Sequence, residues 1–247
     1  MADFPLAGLK VLDFSRVVAG PYATRMLSDL GAEVLKVEPP EGDVTRKLAR
    51  RESGVSGNYL QLNIGKKNIC VDLKAEGARD LIHRLAAEAD IVVENFRPGV
   101  MDKFGIGWDD LSKVNPRLVM LSISGYGQNS PERARAAYAP VLHAESGIIA
   151  RQAEMSGGKP TDMQFAMADS YSSLHGIIAI LSALRTLDQS GEGQYVDLAM
   201  VNVLHSADDY AHFALDDIWP KAPETLVWDA PEQRQILITG DMKWLWI

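Results

Sequence analysis

The segment KVLDF at residues 10–14, with SRVVAGP at 15–21 and YATRMLSDL at 22–30 behind it, decides the fold. KVLDF is a short apolar run of the kind a buried strand needs. YATRMLSDL places Met26, Leu27 and Leu30 at helical spacing, and Gly31 ends that helix with the residue that tolerates positive φ. The next run, AEVLKV at 32–37, is a second strand stopped by Pro39 and Pro40. Outward from this βαβ beginning the pattern repeats. NICVDL at 68–73 is a third strand, and 75–88 is an amphipathic helix with Ala78, Leu81, Ile82 and Leu85 on one face. DIVVE at 90–94 and LVMLSI at 118–123 are the fourth and fifth strands. Strands alternating with helices predict a parallel sheet covered on both faces, the α/β class.

Beyond residue 123 the chain turns loop-rich, with SGYGQNSP at 124–131 and MSGGKP at 155–160. A long helix is predicted from Asp169 to about Leu187, a loop over 189–193, a short strand over 194–198 and a helix from Met200 to about Asp217. QILIT at 235–239 and KWLWI at 243–247 read as two strands joined at Gly240 and Asp241. Large apolar residues at that end call for a covering surface, from a partner or from further chain.

The 247 residues carry 25 Lys and Arg against 33 Asp and Glu, a net charge of −8, and are 47% apolar. That composition supports a sizeable core and argues against disorder and against a general nucleic-acid binder. A single cysteine, Cys70, excludes an internal disulfide framework and fits a reducing compartment. No run approaches the ~18 apolar residues of a membrane span. MADFPL at the start lacks the basic and apolar regions of a signal peptide, so a cytoplasmic protein is expected.

Several patterns compete for the chemistry. Glu38 closes the second strand, where a dinucleotide fold holds a ribose hydroxyl. The turn SRVVAGP lacks the Gly-x-Gly-x-x-Gly that lets a pyrophosphate approach a helix N-terminus, and a capped first crossover accounts for Gly20 and Pro21. The histidines His83, His143, His175, His205 and His212 never pair at metal spacing, so no metal site is predicted, and His83 is expected to be solvated. Asp169 opens a long apolar helix. Alone it reads as an N-cap; functionally it reads as a carboxylate nucleophile kept ionised by the helix terminus. Cations gather near the strand ends: Arg16, Lys36, Lys66, Lys67, Lys74, Arg97 and Lys103. They point to a phosphate-bearing ligand, or else to scattered solvated charge.

Taken together, GLKVLDFS (8–15), AGP (19–21), LGAEVLKVE (30–38), Asn63 with Lys66 and Lys67, VDLK (71–74), ENFRPG (94–99), SISGYGQ (122–128), Asp169 and GEGQ (191–194) with Val196 and Asp197 resemble the family III CoA-transferases, the CaiB/BaiF family. The resemblance is collinear over nearly the whole chain. It implies a Rossmann-like open parallel sheet with flanking helices, plus the start of a small second domain. Residues 1–200 would be the CoA-binding domain, and 201–247 a linker helix and the beginning of a small domain that is incomplete relative to the family. Asp169 matches the catalytic aspartate. Arg16, Val17 and Val18 match the loop beside the CoA thioester, and Glu38 the adenosine end. Leu73 and Lys74 match the adenine pocket, and Asn95, Phe96 and Arg97 the loop at the diphosphate and pantetheine. Lys103 stands for a phosphate-binding basic residue, and Tyr138 lies near the acyl group.

The resemblance further implies CoA transfer from an acyl-CoA to a small carboxylic acid through an aspartyl anhydride and an aspartyl-CoA thioester. Coenzyme A is then a substrate, with no permanently bound cofactor. An interlinked homodimer is implied, with neither nucleic acid nor membrane as partner. Two alternatives stand beside it. The 2-methylacyl-CoA racemases share the fold and use a His–Asp pair, but their histidine falls near Ala137, Tyr138 and Ala139, and His143 is displaced from it. A truncated, non-catalytic CoA-binding paralogue is the other. Ala139 after Tyr138 departs from the acidic residue of oxalate-using members.

Overall fold

A computed structural model describes residues 4–48, 51–52, 54–208, 236–238 and 244–246. The first crossover runs from β1 (Lys10–Asp13) through α1 (Ala19–Asp29) to β2 (Glu33–Glu38). Gly31, at φ 103°, makes the reversal between α1 and β2. A 3₁₀ turn (Val44–Lys47), the short antiparallel pair β3 (Arg51–Glu52) and β4 (Val55–Ser56), and α2 (Gly57–Asn63) follow. Next come β5 (Lys67–Cys70), α3 (Ala78–Ala87), β6 (Ile91–Glu94), α4 (Val100–Lys103), α5 (Trp108–Val114) and β7 (Val119–Ser124). The chain continues through α6 (Ala139–Glu145), α7 (Ile148–Ser156), α8 (Met167–Ser190), β8 (Gln194–Ala199) and α9 (Met200–Ala207). β9 (Ile236–Ile238) and β10 (Trp244–Trp246) pair antiparallel, as the apolar runs at 235–239 and 243–247 predict. Their joining turn and the second half of the helix predicted from Met200 lie outside the described residues.

The main sheet has six parallel strands in the order β5-β2-β1-β6-β7-β8. In chain order this is 3-2-1-4-5-6, the doubly wound Rossmann arrangement. Its order reverses between β1 and β6, which opens a crevice beyond their carboxyl ends. β6 and β7 are buried at every position, as the unbroken apolar runs require of central strands. One core cluster lies under α1, α8 and α9 and includes Ala23, Leu27, Ile180, Val203 and Leu204; the other lies under α3 and α5 and includes Ile82, Ala86 and Leu111. α8 packs on the sheet, α1 and α9 through Ala168, Ile177, Ile180, Ala183 and Leu187, and leaves Leu174, Ile178 and Leu181 exposed.

Two departures from the sequence reading are informative. The third strand ends at Cys70, and Asp72 then turns the chain by accepting the Lys74 N–H at 2.9 Å. The region after residue 131 holds α6 and α7 rather than loop alone; both are short and lean on the first core cluster through Ala139, Leu142 and Ile148. Among the described residues, no helix is long and apolar enough to cross a membrane.

Candidate active site

The loops that leave β1 and β6 are tied to each other across the crevice. Asn95 Oδ1 accepts the Arg16 N–H and Asn95 Nδ2 donates to the Arg16 carbonyl, both at 2.8 Å. The Arg16 guanidinium lies 5.2 Å from the centre of the Phe96 ring. Val17, the next residue, has φ 67°, a value that a β-branched residue rarely adopts. Gly20 follows because nothing larger fits: a Cβ there would lie 2.1 Å from Ser15 Cβ. The N-cap of α1 is Val18, and it makes no side-chain capping bond, so close approach rather than capping explains the glycine.

Two cavities open on this crevice. The larger, about 680 Å³, is lined by Arg16, Val17, Glu38, Leu73, Lys74, Phe96, Arg97 and Tyr138, together with Pro39, Pro40, Lys47, Val100 and Phe104. Its size suits an elongated small-molecule ligand. The smaller, about 120 Å³, is lined by Asp169, Asn95, Ala19, Met200, Arg133 and Arg135. Arg16, Val17, Phe96, Arg97 and Tyr138 border both. Residues far apart in the chain therefore converge on one place. Val18 and Lys103 line neither cavity. Lys47, Arg133 and Arg135 do line them, although nothing in their flanking sequence singles them out.

Asp169 is the third residue of α8, whose N-cap is Ala166, so it is not the cap that its position suggested. Burial pushes its carboxyl above the ordinary aspartate range, opposed by the nearby Ala19 N–H at the start of α1. The carboxylate thus meets the positive ends of two helices while facing the small cavity.

Other charges at the sheet end are internal. Lys36 is 1% exposed; it donates to the Ser15 carbonyl at 2.6 Å and pairs with Asp43 at 3.2 Å. Lys66 pairs with Asp13 at 3.0 Å, both side chains being buried. Burial lowers Lys66 to about 8, while Asp13, despite its own burial, is held down to about 2 by Lys66, Lys36 and the Ser15 and Thr24 hydroxyls. Lys67 sits on the surface with Glu33. Lys36 and Lys66 brace the β1 and β2 loops, and none of the three lysines lines either cavity, which corrects the phosphate reading for Lys36, Lys66 and Lys67. Arg16, Lys74 and Arg97 remain on the larger cavity.

Glu38 borders that cavity, but its oxygens are taken. Asp43 N–H and Arg46 Nε donate to Oε2 at 2.8 and 2.7 Å; Arg46 Nη2, Tyr59 and Asn68 donate to Oε1 at 2.9, 2.6 and 2.5 Å. Burial is outweighed by these donors, and the carboxyl drops to about 2. Three histidines also find partners, among them His175, whose Nδ1 lies 2.9 Å from the Tyr171 carbonyl. His83 Nε2 meets the Gly105 carbonyl at 2.7 Å rather than being merely solvated. His143 is buried with both ring nitrogens engaged, Nδ1 with Asp162 at 2.8 Å and Nε2 with the Ala168 N–H at 3.0 Å. No group of three His, Cys, Asp or Glu able to hold a metal occurs among the described residues.

Comparison with known proteins agrees with this geometry. The model of CoA-transferase family III matches residues 6–216. The beta subunit of succinyl-CoA–L-malate CoA-transferase from Chloroflexus aurantiacus is 42% identical over 209 residues, 83% of this chain and 51% of that protein. The succinate–glutarate CoA-transferase of Agrobacterium fabrum is 38% identical over 81% of this chain and 52% of its own length. The crystal structure of a CAIB/BAIF family protein from Brucella suis superposes with a TM-score of 0.80 at 36% identity, covering 89% of this chain and 59% of that one. The chain spans about half the length of the curated relatives it matches. With a family model over most of its residues and the nucleotide-fold crevice in place, the chain belongs to CoA-transferase family III.

Proposed function

We propose that this chain carries the CoA-binding unit, residues 1–200, and the nucleophile of an enzyme that moves CoA between an acyl-CoA and a carboxylic acid. The observation that carries the reading is Asp169, poised between two helix N-termini and facing a small cavity that shares five bordering residues with a cavity of about 680 Å³. An Asp169 oxygen attacks the thioester carbonyl. The carbon–sulfur bond breaks, leaving an aspartyl–acyl anhydride and CoA thiolate. The thiolate attacks the aspartyl carbonyl and expels the donor acid as its carboxylate. The acceptor carboxylate then attacks the aspartyl-CoA thioester, and the released thiolate attacks the acceptor carbonyl, regenerating Asp169 and yielding the new thioester. Covalent catalysis divides one difficult exchange into easier steps, and the Ala19 N–H near the Asp169 carboxyl is the group placed to meet the charge that develops on the aspartyl carbonyl.

The substrate end is cationic. Arg16 and Arg133 border the small cavity, and among the described residues neither has an ion-pair partner, whereas Arg135 is paired with Glu132 and Glu145. These guanidinium groups without a carboxylate partner among the described residues, with the diacids named for the two relatives, support a short dicarboxylic acid as one substrate. Racemisation is disfavoured, since both nitrogens of His143 are occupied inside the protein and no ring nitrogen is left to take a substrate proton.

The test is incubation of the chain with an isotope-labelled acyl-CoA and a panel of mono- and dicarboxylic acids, with mass spectrometry of the protein. Label on Asp169 and transfer to a diacid support the reading. CoA binding without either points to a binding unit, and exchange of the α-proton to a racemase.

A further inference from the structure

We infer that His143 is a positioning residue for the nucleophile, acting as a cap supplied from α6 to the first turn of α8. α8 begins without a side-chain cap of its own, its N-cap being an alanine. The first N–H groups of a helix have no partner within the helix and need one from elsewhere. Here the Ala168 N–H, one residue before Asp169, donates to His143 Nε2 at 3.0 Å. Accepting that bond requires Nε2 to be unprotonated. The ring proton is therefore on Nδ1, where it donates to Asp162 Oδ1 at 2.8 Å. Asp162 thus selects the tautomer, the tautomer supplies the acceptor, and the acceptor fixes the peptide that carries Asp169. Burial of the ring keeps water from substituting for it. Ser173 secures the next turn: its hydroxyl lies 2.6 Å from the Ala19 carbonyl and 2.8 Å from the Asp169 carbonyl and shares its one proton between them, so α8 is tied to the start of α1 on the other side. Asp169 is held between these two attachments.

This inference rests on Asp169 being the nucleophile, and the experiment separates the two. His143→Leu removes the acceptor, and His143→Gln returns a carbonyl oxygen near the place of Nε2. Three quantities are compared in the full chain: hydrogen exchange of the 166–170 amides, the rate of acyl labelling at Asp169, and the dissociation constant for CoA. His143→Leu should speed exchange at Ala168 and slow labelling on the order of a hundredfold, the cost of misplacing a reacting group by about 1 Å. CoA affinity should stay unchanged, and His143→Gln should recover most of the labelling rate. Equal labelling rates in wild type and His143→Leu overturn the inference, as does a His143→Gln no better than His143→Leu. If His143→Leu does not fold, Asp162→Leu tests the same chain of bonds, and an unaltered exchange and labelling rate there overturns it. Absence of any Asp169 adduct in the wild type strikes the proposed function instead; exchange at Ala168 still decides the capping bond.

Discussion

Glu38 at the end of β2 and Asp169 at the start of α8 are carboxylates on the same crevice, and their surroundings are opposite. Glu38 receives donors from Asp43, Arg46, Tyr59 and Asn68, and its carboxyl falls to about 2. Asp169 is half-buried and is pushed upward by burial, with the nearby Ala19 N–H opposing the rise. A carboxylate whose lone pairs are all committed is a brace. One that is desolvated yet short of donors keeps a basic, reactive oxygen. Position at a sheet end does not distinguish the two; the inventory of donors does.

The sharpest way to break the comparison is to neutralise each group. Asp169→Asn should lower turnover on the order of 10⁴-fold or more, because the amide is a poor nucleophile. It should leave CoA affinity and the melting temperature nearly unchanged, since the carboxylate it removes is one that burial disfavours. Glu38→Gln should do the reverse. It leaves Arg46 facing a neutral amide and costs about 2 kcal/mol of stability, while molecules that remain folded keep their acyl-labelling rate. Urea melts and single-turnover labelling of the two variants check both halves. A Glu38→Gln that folds normally but does not label would place Glu38 among the reacting groups.

Acid should separate the braces from the nucleophile. Glu38 and Asp13 have folded pKa values near 2, below their ordinary values of 4.5 and 3.8. Their stabilisation is complete above the ordinary values and is lost as pH falls from about 5 toward 2. Asp13 alone accounts for on the order of 2 kcal/mol. Asp169 is raised, so its ionised form is the disfavoured one, and acyl labelling should rise with pH through a midpoint above 3.8. Labelling should therefore fail on acidification before the fold does. Circular dichroism and labelling rates over one pH series test the order. Simultaneous loss would mean that both observables report unfolding.

The sheet was legible because its strands are short apolar runs separated by helical periods, and buried parallel strands have to be written that way. Asp169, Arg16 and the loop from Asn95 to Arg97 were legible through the resemblance of the flanking motifs. Charge pairing was not. Lys36 and Lys66 look like ligand-facing cations in sequence, and only the fold brings Asp43 and Asp13 beside them. The capping bond from His143 to Ala168 escaped for the same reason, as it joins residues 25 positions apart through a helix packing that no local pattern encodes. Arg133 and Lys47 reach the cavities from segments whose composition resembles ordinary solvated loop.

Val17 gives the smallest and most discriminating effect. Its φ of 67° puts a β-branched side chain in the left-handed region, at a cost of roughly 1–2 kcal/mol. The surroundings hold it there: Asn95 locks Arg16 on one side, and α1 begins with Ala19 on the other. Val17→Gly removes that strain but adds freedom to the unfolded chain worth roughly 0.5–1 kcal/mol. The net expectation is a gain in stability of up to about 1 kcal/mol, measured as a raised urea midpoint with an unchanged slope. Activity should move the other way. Val17 borders both cavities, and a glycine there lets the Arg16 loop sample other conformations, so CoA affinity should weaken severalfold, in line with the cost of reordering a freed loop residue. A variant that gains stability without losing affinity would show that the strained valine is a by-product of the crossover; one that loses both would show that the side chain packs into the fold rather than shaping the crevice.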